Sequence, residues 1–403
     1  MRLARLTVAL AALMAIGTGW SMAARIVTPE QCALGDASIC IQAAIDEAAG
    51  RKTDVIIAPG LYTLRLPVRL ATGVSILGTT ETVLQPSLEN REGTLLLSGV
   101  NVGDIRIEGI TLEGGGKDFP IDSALVVLDG THNVVLDSVT IQHARGAAVA
   151  FYSDQGVPSA ENGIQNSRIF DVGNHWRTTG QWRDRRMVVV FWDAAPLQSH
   201  GNFARNNSFE NTGLDAIQVA GQQGFVGEGN YFALATEERD VLDAGDYPGA
   251  FFIETSSDVI IRNNTIHDAP GNCIDMPGVT GALVEGNLIT GCGQAAIGIF
   301  RDYDFDRVDS SHIVVRNNVI LNGAVWADSC WKAGIVIANG SPTDIEITDN
   351  IITDMRPKGK KTQDYGIEVV NGTHCNAVTH VKGLKLSGNR LDGNQRAATH
   401  GIK

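Results

Sequence analysis

Aromatic residues are scarce, at 6% of 403, and basic residues are outnumbered, with 32 Lys and Arg against 45 Asp and Glu. The acidic excess disfavours a nucleic-acid partner, because phosphate binding needs a basic footprint. No Cys-x-x-Cys occurs and no His stands at ligand spacing from a cysteine pair, which argues against a zinc site. Beyond the N-terminus no apolar run approaches the length of a membrane span. Disorder is excluded too, since 43% of the residues are hydrophobic and only 19% charged. What the chain has in quantity is glycine, 45 residues, which points away from helical bundles and toward many tight turns.

The first residues read as a processing signal. Arg2 and Arg5 precede the apolar run Leu6 to Ile16, and Ser21 and Ala23 supply the small residues of a cleavage site. Residues 1–23 are therefore expected to be a signal peptide cut near Ala23, and the mature chain to be periplasmic or secreted. Losing two arginines takes the formal charge from −13 to −15. Six cysteines in an exported chain suit disulfides. Cys32 with Cys40, Cys273 with Cys292, and Cys330 with Cys375 are plausible pairs, although spacing alone does not determine connectivity.

The strongest signal is self-similarity. One phrase recurs: an apolar strand, a turn, a second strand, an asparagine, a third strand. It is written "ARNNSF", "GEGNYF", "IRNNTI", "VEGNLI", "VRNNVI", "ITDNII" and "LSGNRL", which aligns Asn207, Asn230, Asn264, Asn287, Asn318, Asn350 and Asn389. The gaps are 23, 34, 23, 31, 32 and 39 residues, a basal period of 23 with loops inserted into some turns. Asparagine at this turn tolerates left-handed dihedrals, and its amide can bond neighbours up and down a stack.

Each unit opens on a first strand, as in "DAIQVA", "GAFFIE", "NCIDMP", "AAIGIF", "AGIVIA" and "YGIEVV". Period-two alternation puts Ile217, Phe251, Ile274, Ile297, Ile335 and Ile367 in one inward column. Stacked units bury a continuous core that no single unit could. Ile41, Ile45 and Ala48 form the apolar face of a short helix, followed by a strand and a Pro-Gly turn.

These features resemble the right-handed parallel β-helix proteins of the pectate-lyase-like superfamily. The likeness implies an all-β solenoid over residues 24–403, with residues 24–65 as an N-terminal cap region that includes the helix. The family holds lyases, hydrolases, epimerases and passive surface proteins, so the fold alone does not set the function. At the other end, "HGIK" restarts the repeat at Gly401 and Ile402 with no cap after it. That leaves a parallel edge open to self-association.

In enzymes of this superfamily the cleft lies on the outer face of the first strand, between inserted loops. Here the insertions are residues 171–186, 235–247, 301–311, 323–332 and 356–364, and they flank that strand. Outward residues on the face are Gln218, Phe252, Asp275, Gly298, Val336 and Glu368, with Glu254 two positions further along its own strand. Asp275, Glu254 and Asp215 form the acid group, and Gly298 beside Asp275 is expected to leave room for a ligand.

Two chemistries fit such acids. A pair of carboxylates about 6.5–9.5 Å apart suits inverting glycoside hydrolysis, and Glu254 with Asp275 is the candidate pair. Alternatively the acids hold Ca²⁺ against a substrate carboxylate, and an Arg or Lys removes the sugar C5 proton. Arg301 and Arg186 are the candidate bases, with Lys332 on a wall loop. Trp176, Trp182 and Arg183 sit in a basic, aromatic loop suited to an acidic polysaccharide, guanidinium to carboxylate and flat ring to sugar face. The expectation is an enzyme cleaving an acidic polysaccharide, by β-elimination first and inverting hydrolysis second. A non-catalytic glycan-binding or surface protein is the third reading.

Two weaker signals complete the set. Asp302, Asp304 and Asp306 alternate as in a calcium loop but lack its turn glycine and distal Glu. His267 follows a third strand, either as a turn residue or as an acid–base group at the cleft. Some signatures of the superfamily are missing: no Asp-Pro-His, no Trp-Ile-Asp-His, and a single Asp215 in "NTGLDAIQV" where polygalacturonase-like hydrolases have an Asp pair.

Overall fold

The computed structural model describes residues 24–32, 35–87, 95–116, 124–153, 156–173, 187–234, 249–302, 308–325, 329–372 and 377–402. Within them the chain coils through three parallel sheets. Each strand pairs with its equivalent one turn further on, giving sheets of 12, 13 and 12 strands. The first sheet, built from the first strand of each unit, runs from Val68–Arg69 to Ala397–His400. The second runs from Arg25–Val27 to Lys385–Ser387 and the third from Gly60–Leu64 to Arg390–Asp392.

The register follows the periodicity of the sequence. Ile217, Phe251, Ile274, Ile297, Ile335 and Ile367 pair in succession and are all fully buried. Aromatic side chains are few but stack along the interior, with ring centroids 4.7 Å apart for Phe151 and Phe191 and 4.9 Å apart for Phe209 and Phe232. In a parallel stack like positions meet like, so a column of one residue type packs without voids.

The recurrent asparagines form a buried ladder. The side-chain oxygen of Asn264 accepts from the backbone N–H of Asn230 at 2.9 Å and from its amide at 3.0 Å. The Asn264 amide in turn donates to the Gly227 carbonyl and to the Asn287 side-chain oxygen, each at 3.0 Å. The same pattern continues through Asn318, Asn350 and Asn389. One expectation is corrected here. The left-handed dihedral falls on the residue before the ladder asparagine, with φ of 53° at Asn206, 55° at Asn263 and 56° at Asn317. The two positions divide the work: the first turns the chain through a conformation that Asn and Gly tolerate, and the second bonds along the stack. The corner is two residues long each time, as between Arg205 and Ser208 or Thr348 and Ile351.

At the N-terminal end the helix Ala37–Arg51 packs over the first strands of all three sheets. Asp36 caps it by accepting from the Ser38 backbone N–H at 3.0 Å, and Ile41, Ile45 and Ala48 are buried. Among the described residues no helix is long and apolar enough to cross a membrane.

At the other end a second correction applies. The first sheet takes Ala397–His400 as its last strand, pairing Ile367 with Thr399 and Glu368 with His400. The repeat therefore resumes before Gly401, which lies in the following turn. Residues 397–400 are exposed along their whole length.

Disulfides join Cys32 to Cys40 and Cys273 to Cys292, as expected. Cys330 is also disulfide-bonded, while Cys375 lies outside the described residues. Residues 1–23, the expected signal peptide, lie outside them as well.

Candidate functional site

Strand pairing turns the outer face of the first sheet into straight columns. One column reads Gln218, Phe252, Asp275, Gly298, Val336, Glu368, His400. Beside it, two residues along each strand, run Trp192, Ala220 and Glu254. Asp275 pairs with Phe252, so Glu254 stands one turn away and two residues further along. That offset separates their backbones by about 8 Å.

Asp275 points outward between inward-facing Ile274 and Met276, yet it is far from an ordinary surface acid. The residue is half-buried. Its Oδ2 accepts from the Asn272 amide at 3.0 Å, while Oδ1 is buried and has no hydrogen-bond partner. Burial pushes its pKa up from the ordinary 3.8 to about 6, against the opposing pull of the Asn272 amide and the Met276 backbone N–H.

Asn272 is held on its other side, its oxygen accepting from the Ala295 backbone N–H at 3.0 Å. The neighbouring Cys273–Cys292 disulfide ties the start of this strand to the turn after the third-sheet strand Leu288–Thr290. Removing it with a Cys273→Ala, Cys292→Ala pair is expected to cost about 3 kcal/mol, the loop-closure entropy of a crosslink of this span. Denaturant melts of variant and parent at equal pH will measure the loss.

Glu254 is buried, and its Oε1 accepts from the Gln218 amide at 3.0 Å. The Gln218 oxygen, itself buried, has no hydrogen-bond partner. Two acceptors in one column, Gln218 Oε1 and Asp275 Oδ1, thus lack donors, an unusual condition for buried oxygens. Asp215 is buried at the start of its strand and accepts from the Gly249 backbone N–H at 2.9 Å. A side chain at Gly249 would strike the Asn272 carbonyl, so the two strand entries are in close contact.

A family model described as right handed beta helix region matches residues 198–391. The chain is a right-handed parallel β-helix. Among solved structures, this β-helix is similar to the A-module of the Azotobacter vinelandii mannuronan C-5 epimerase AlgE6. That match has 14% identity and a TM-score of 0.63 over 94% of this chain and 100% of the other. A catalytic domain of a GH87 alpha-1,3-glucanase matches at 14% identity and TM-score 0.64, covering 96% of this chain and 67% of the other. PfbA, a surface adhesin of Streptococcus pneumoniae, matches at 15% identity and TM-score 0.57, covering 91% and 93%. At such identities the likeness is one of fold. Comparison with curated proteins gives no sequence match.

The β-helix brings Asp215, Glu254 and Asp275 to one region of its first sheet and places other candidates elsewhere. Arg301 directly follows the first-sheet strand Ile297–Phe300 and directs its guanidinium to Asp309, 3.7 Å away at the turn into the second sheet. Lys332 lines a separate cavity three turns beyond Asp275. Arg186, Trp176, Trp182 and Arg183 lie outside the described residues. Asp302 is buried and accepts from the Thr255 hydroxyl, whereas Asp304 and Asp306 are not described. Among the described residues no group of three or more His, Cys, Asp or Glu is arranged to hold a metal ion. His267 belongs to the third sheet, bonded to the Thr290 hydroxyl at 2.6 Å, and does not share the acid face.

The room expected above Gly298 is taken. A side chain there would meet the Phe300 ring, which folds back over it. Phe300 joins Val336, Tyr365 and Trp331 in an apolar layer on the outside of the sheet. The space beside Asp275 over Gly298 is therefore filled by the Phe300 ring. Three further residues emerge that sequence reasoning gave no role: Asn272, Gln218 and Trp192. Gln218 was visible in the outward column. Asn272 carries a signal in hindsight, since it stands three residues before an outward acid at a strand entry.

Proposed function

We infer that this β-helix is an exported enzyme that hydrolyses a polysaccharide laid along its first sheet, with Asp275 donating a proton to the leaving oxygen. Glu254, whose backbone lies about 8 Å from that of Asp275 by strand geometry, is the candidate to activate the water. The observation that carries this reading is the burial of the Asp275 carboxyl, which pushes its pKa up to about 6. An acid with a pKa of about 6 gives up its proton near neutrality, where general-acid catalysis is efficient.

The surroundings support a sugar ligand. Half-buried Trp192, two turns along Glu254's own column, offers a flat apolar edge. Asp215 acts through position, fixing the Gly249 entry next to Asn272. Hydrolysis is favoured over β-elimination because a buried carboxyl with a raised pKa suits proton donation better than it suits Ca²⁺ binding. In the eliminating scheme, Arg301 or Arg186 would have to serve as base.

Product analysis on a panel of neutral and acidic polysaccharides tests the proposal. Hydrolysis yields new reducing ends without ultraviolet absorbance, and proton NMR of early product will show the inverted anomer. Unsaturated, absorbing products would replace hydrolysis with elimination. Binding without cleavage would make the protein a glycan-binding β-helix.

A further inference from the structure

Two turns of the first sheet begin with the same side-chain device. The residue two positions before the inward isoleucine is Asp215 on one turn and Asn272 two turns later. Asp215 Oδ1 accepts from the backbone N–H of Gly249 at 2.9 Å, and the Asn272 oxygen accepts from that of Ala295 at 3.0 Å. In both cases the donor is the entry residue of the following turn. Three positions further along stands an outward polar residue, Gln218 in the first case and Asp275 in the second. One turn thus carries an entry acid with an outward amide, and the other an entry amide with an outward acid.

The backbone bond decides which way the Asn272 side chain faces. A backbone N–H can only donate, so the Ala295 N–H fixes the Asn272 oxygen on its side and turns the amide nitrogen toward Asp275. That nitrogen donates to Asp275 Oδ2 at 3.0 Å, the one side-chain hydrogen bond this carboxyl makes among the described residues. Asn272 is itself buried, and its backbone carbonyl lies so close to Gly249 that a side chain there would strike it. The donor is therefore already in place and needs no reordering when Asp275 ionises. On the strand packed against one side of Asp275 the titratable group is Glu254, with Asp215 at the entry of the turn before that. The strand on the other side presents Gly298 and Phe300. Beyond it Arg301 is directed to Asp309, and Asp302 accepts from the Thr255 hydroxyl.

We propose that Asn272 is the positioning residue of Asp275: its locked amide holds the carboxyl in one orientation and donates the hydrogen bond that favours the ionised form. Burial works in the opposite direction, so the two together set where Asp275 releases its proton. An acid at position 272, the arrangement that Asp215 has on its own turn, would keep the bond to Ala295 and lose the donor. The role rests on the proposed function only for its consequence in turnover, because the proton equilibrium of Asp275 is measured without substrate.

Denaturant melts of the full chain from pH 4 to pH 9 compare the parent, Asn272→Ala and Asn272→Asp, each with and without Asp275→Asn. The stability of each chain relative to its Asp275→Asn counterpart falls as pH rises through the folded-state pKa, which lies above the unfolded one. Losing the donor raises that pKa further, so in Asn272→Ala the fall should extend to higher pH, with proton affinity up about tenfold. Asn272→Asp keeps the acceptor for Ala295 and decides the matter if Asn272→Ala does not fold. Its two carboxyls should share a proton to still higher pH. Adding Asp275→Asn to Asn272→Asp again leaves one acid and one amide, and should gain more stability at pH 7.5 than Asp275→Asn gains in the parent. An unshifted fall in the variants that fold, or a gain no larger than the parent's, overturns the proposal. If the melts shift but the parent cleaves no polysaccharide, the catalytic reading fails and the positioning role stands. If cleavage depends on Asp275 and the melts do not shift, only the positioning role fails.

Discussion

Asp275→Asn will lower turnover of the cleaved polysaccharide by about 10²–10⁴-fold, the range of a lost general acid. The same substitution will stabilise the chain at pH 7, and the combination separates a functional acid from a structural one. The carboxyl ionises near pH 6 in the folded chain and near 3.8 when unfolded. A folded-state pKa that is raised means the folded chain holds its proton more tightly. The associated stability is complete below about pH 4, declines as pH rises through 6, and is absent above that. The loss amounts to about 2–3 kcal/mol across that window. Asparagine has no charge to desolvate and keeps an oxygen for the Asn272 amide, so the variant should show no such decline. Denaturant melts at pH 4 and pH 7.5 will show the difference. A variant as active as the parent removes Asp275 from the chemistry. A parent whose stability does not fall between these two pH values removes the buried-acid account.

Asn264→Ala should be the most damaging single change in the ladder, costing about 3–5 kcal/mol. It deletes four hydrogen bonds at once, two accepted from Asn230 and two donated to Gly227 and Asn287. Several buried polar groups would then lack partners, and each such group carries a desolvation cost of about 1–3 kcal/mol. By contrast Asn389→Ala, at a half-buried rung, should cost clearly less. Comparing the unfolding midpoints of the two variants checks this gradient. Equal losses would mean that the corner residue matters for its dihedral rather than for its place in the ladder.

The fold was legible because the solenoid repeats its grammar. Asparagine spacing gave the turns of the coil, and period-two alternation gave the inward column from Ile217 to Ile367, which pairs as expected. Alternation also put Asp275 on the outside. It could not say how wet that outside is. Desolvation at Asp275 depends on what surrounds it, including Asn272 three residues before it. Nor could it foresee Phe300 turning back over Gly298, since two outward residues on one strand settle their rotamers by packing. The pairing of Arg396 with Asp364 and of His400 with Glu368 was hidden for another reason. His400 and Arg396 come from the final turn, where the repeat had been placed a few residues too late, so neither was aligned with its acid. Arg301 illustrates the converse: its strand end was located correctly, but its partner, Asp309, lies beyond a loop whose path the sequence does not give.

The two-residue asparagine corner has a bearing on specificity. Since it keeps one length from turn to turn while the other corners absorb every insertion, the stack behaves as a ruler of constant pitch. Residues on different turns of the first sheet, such as Asp275 and Glu368, stay a fixed distance apart whatever the loops beside them do. Loops can then be lengthened, shortened or exchanged to decide which polymer is admitted, without altering the interval at which that polymer is read.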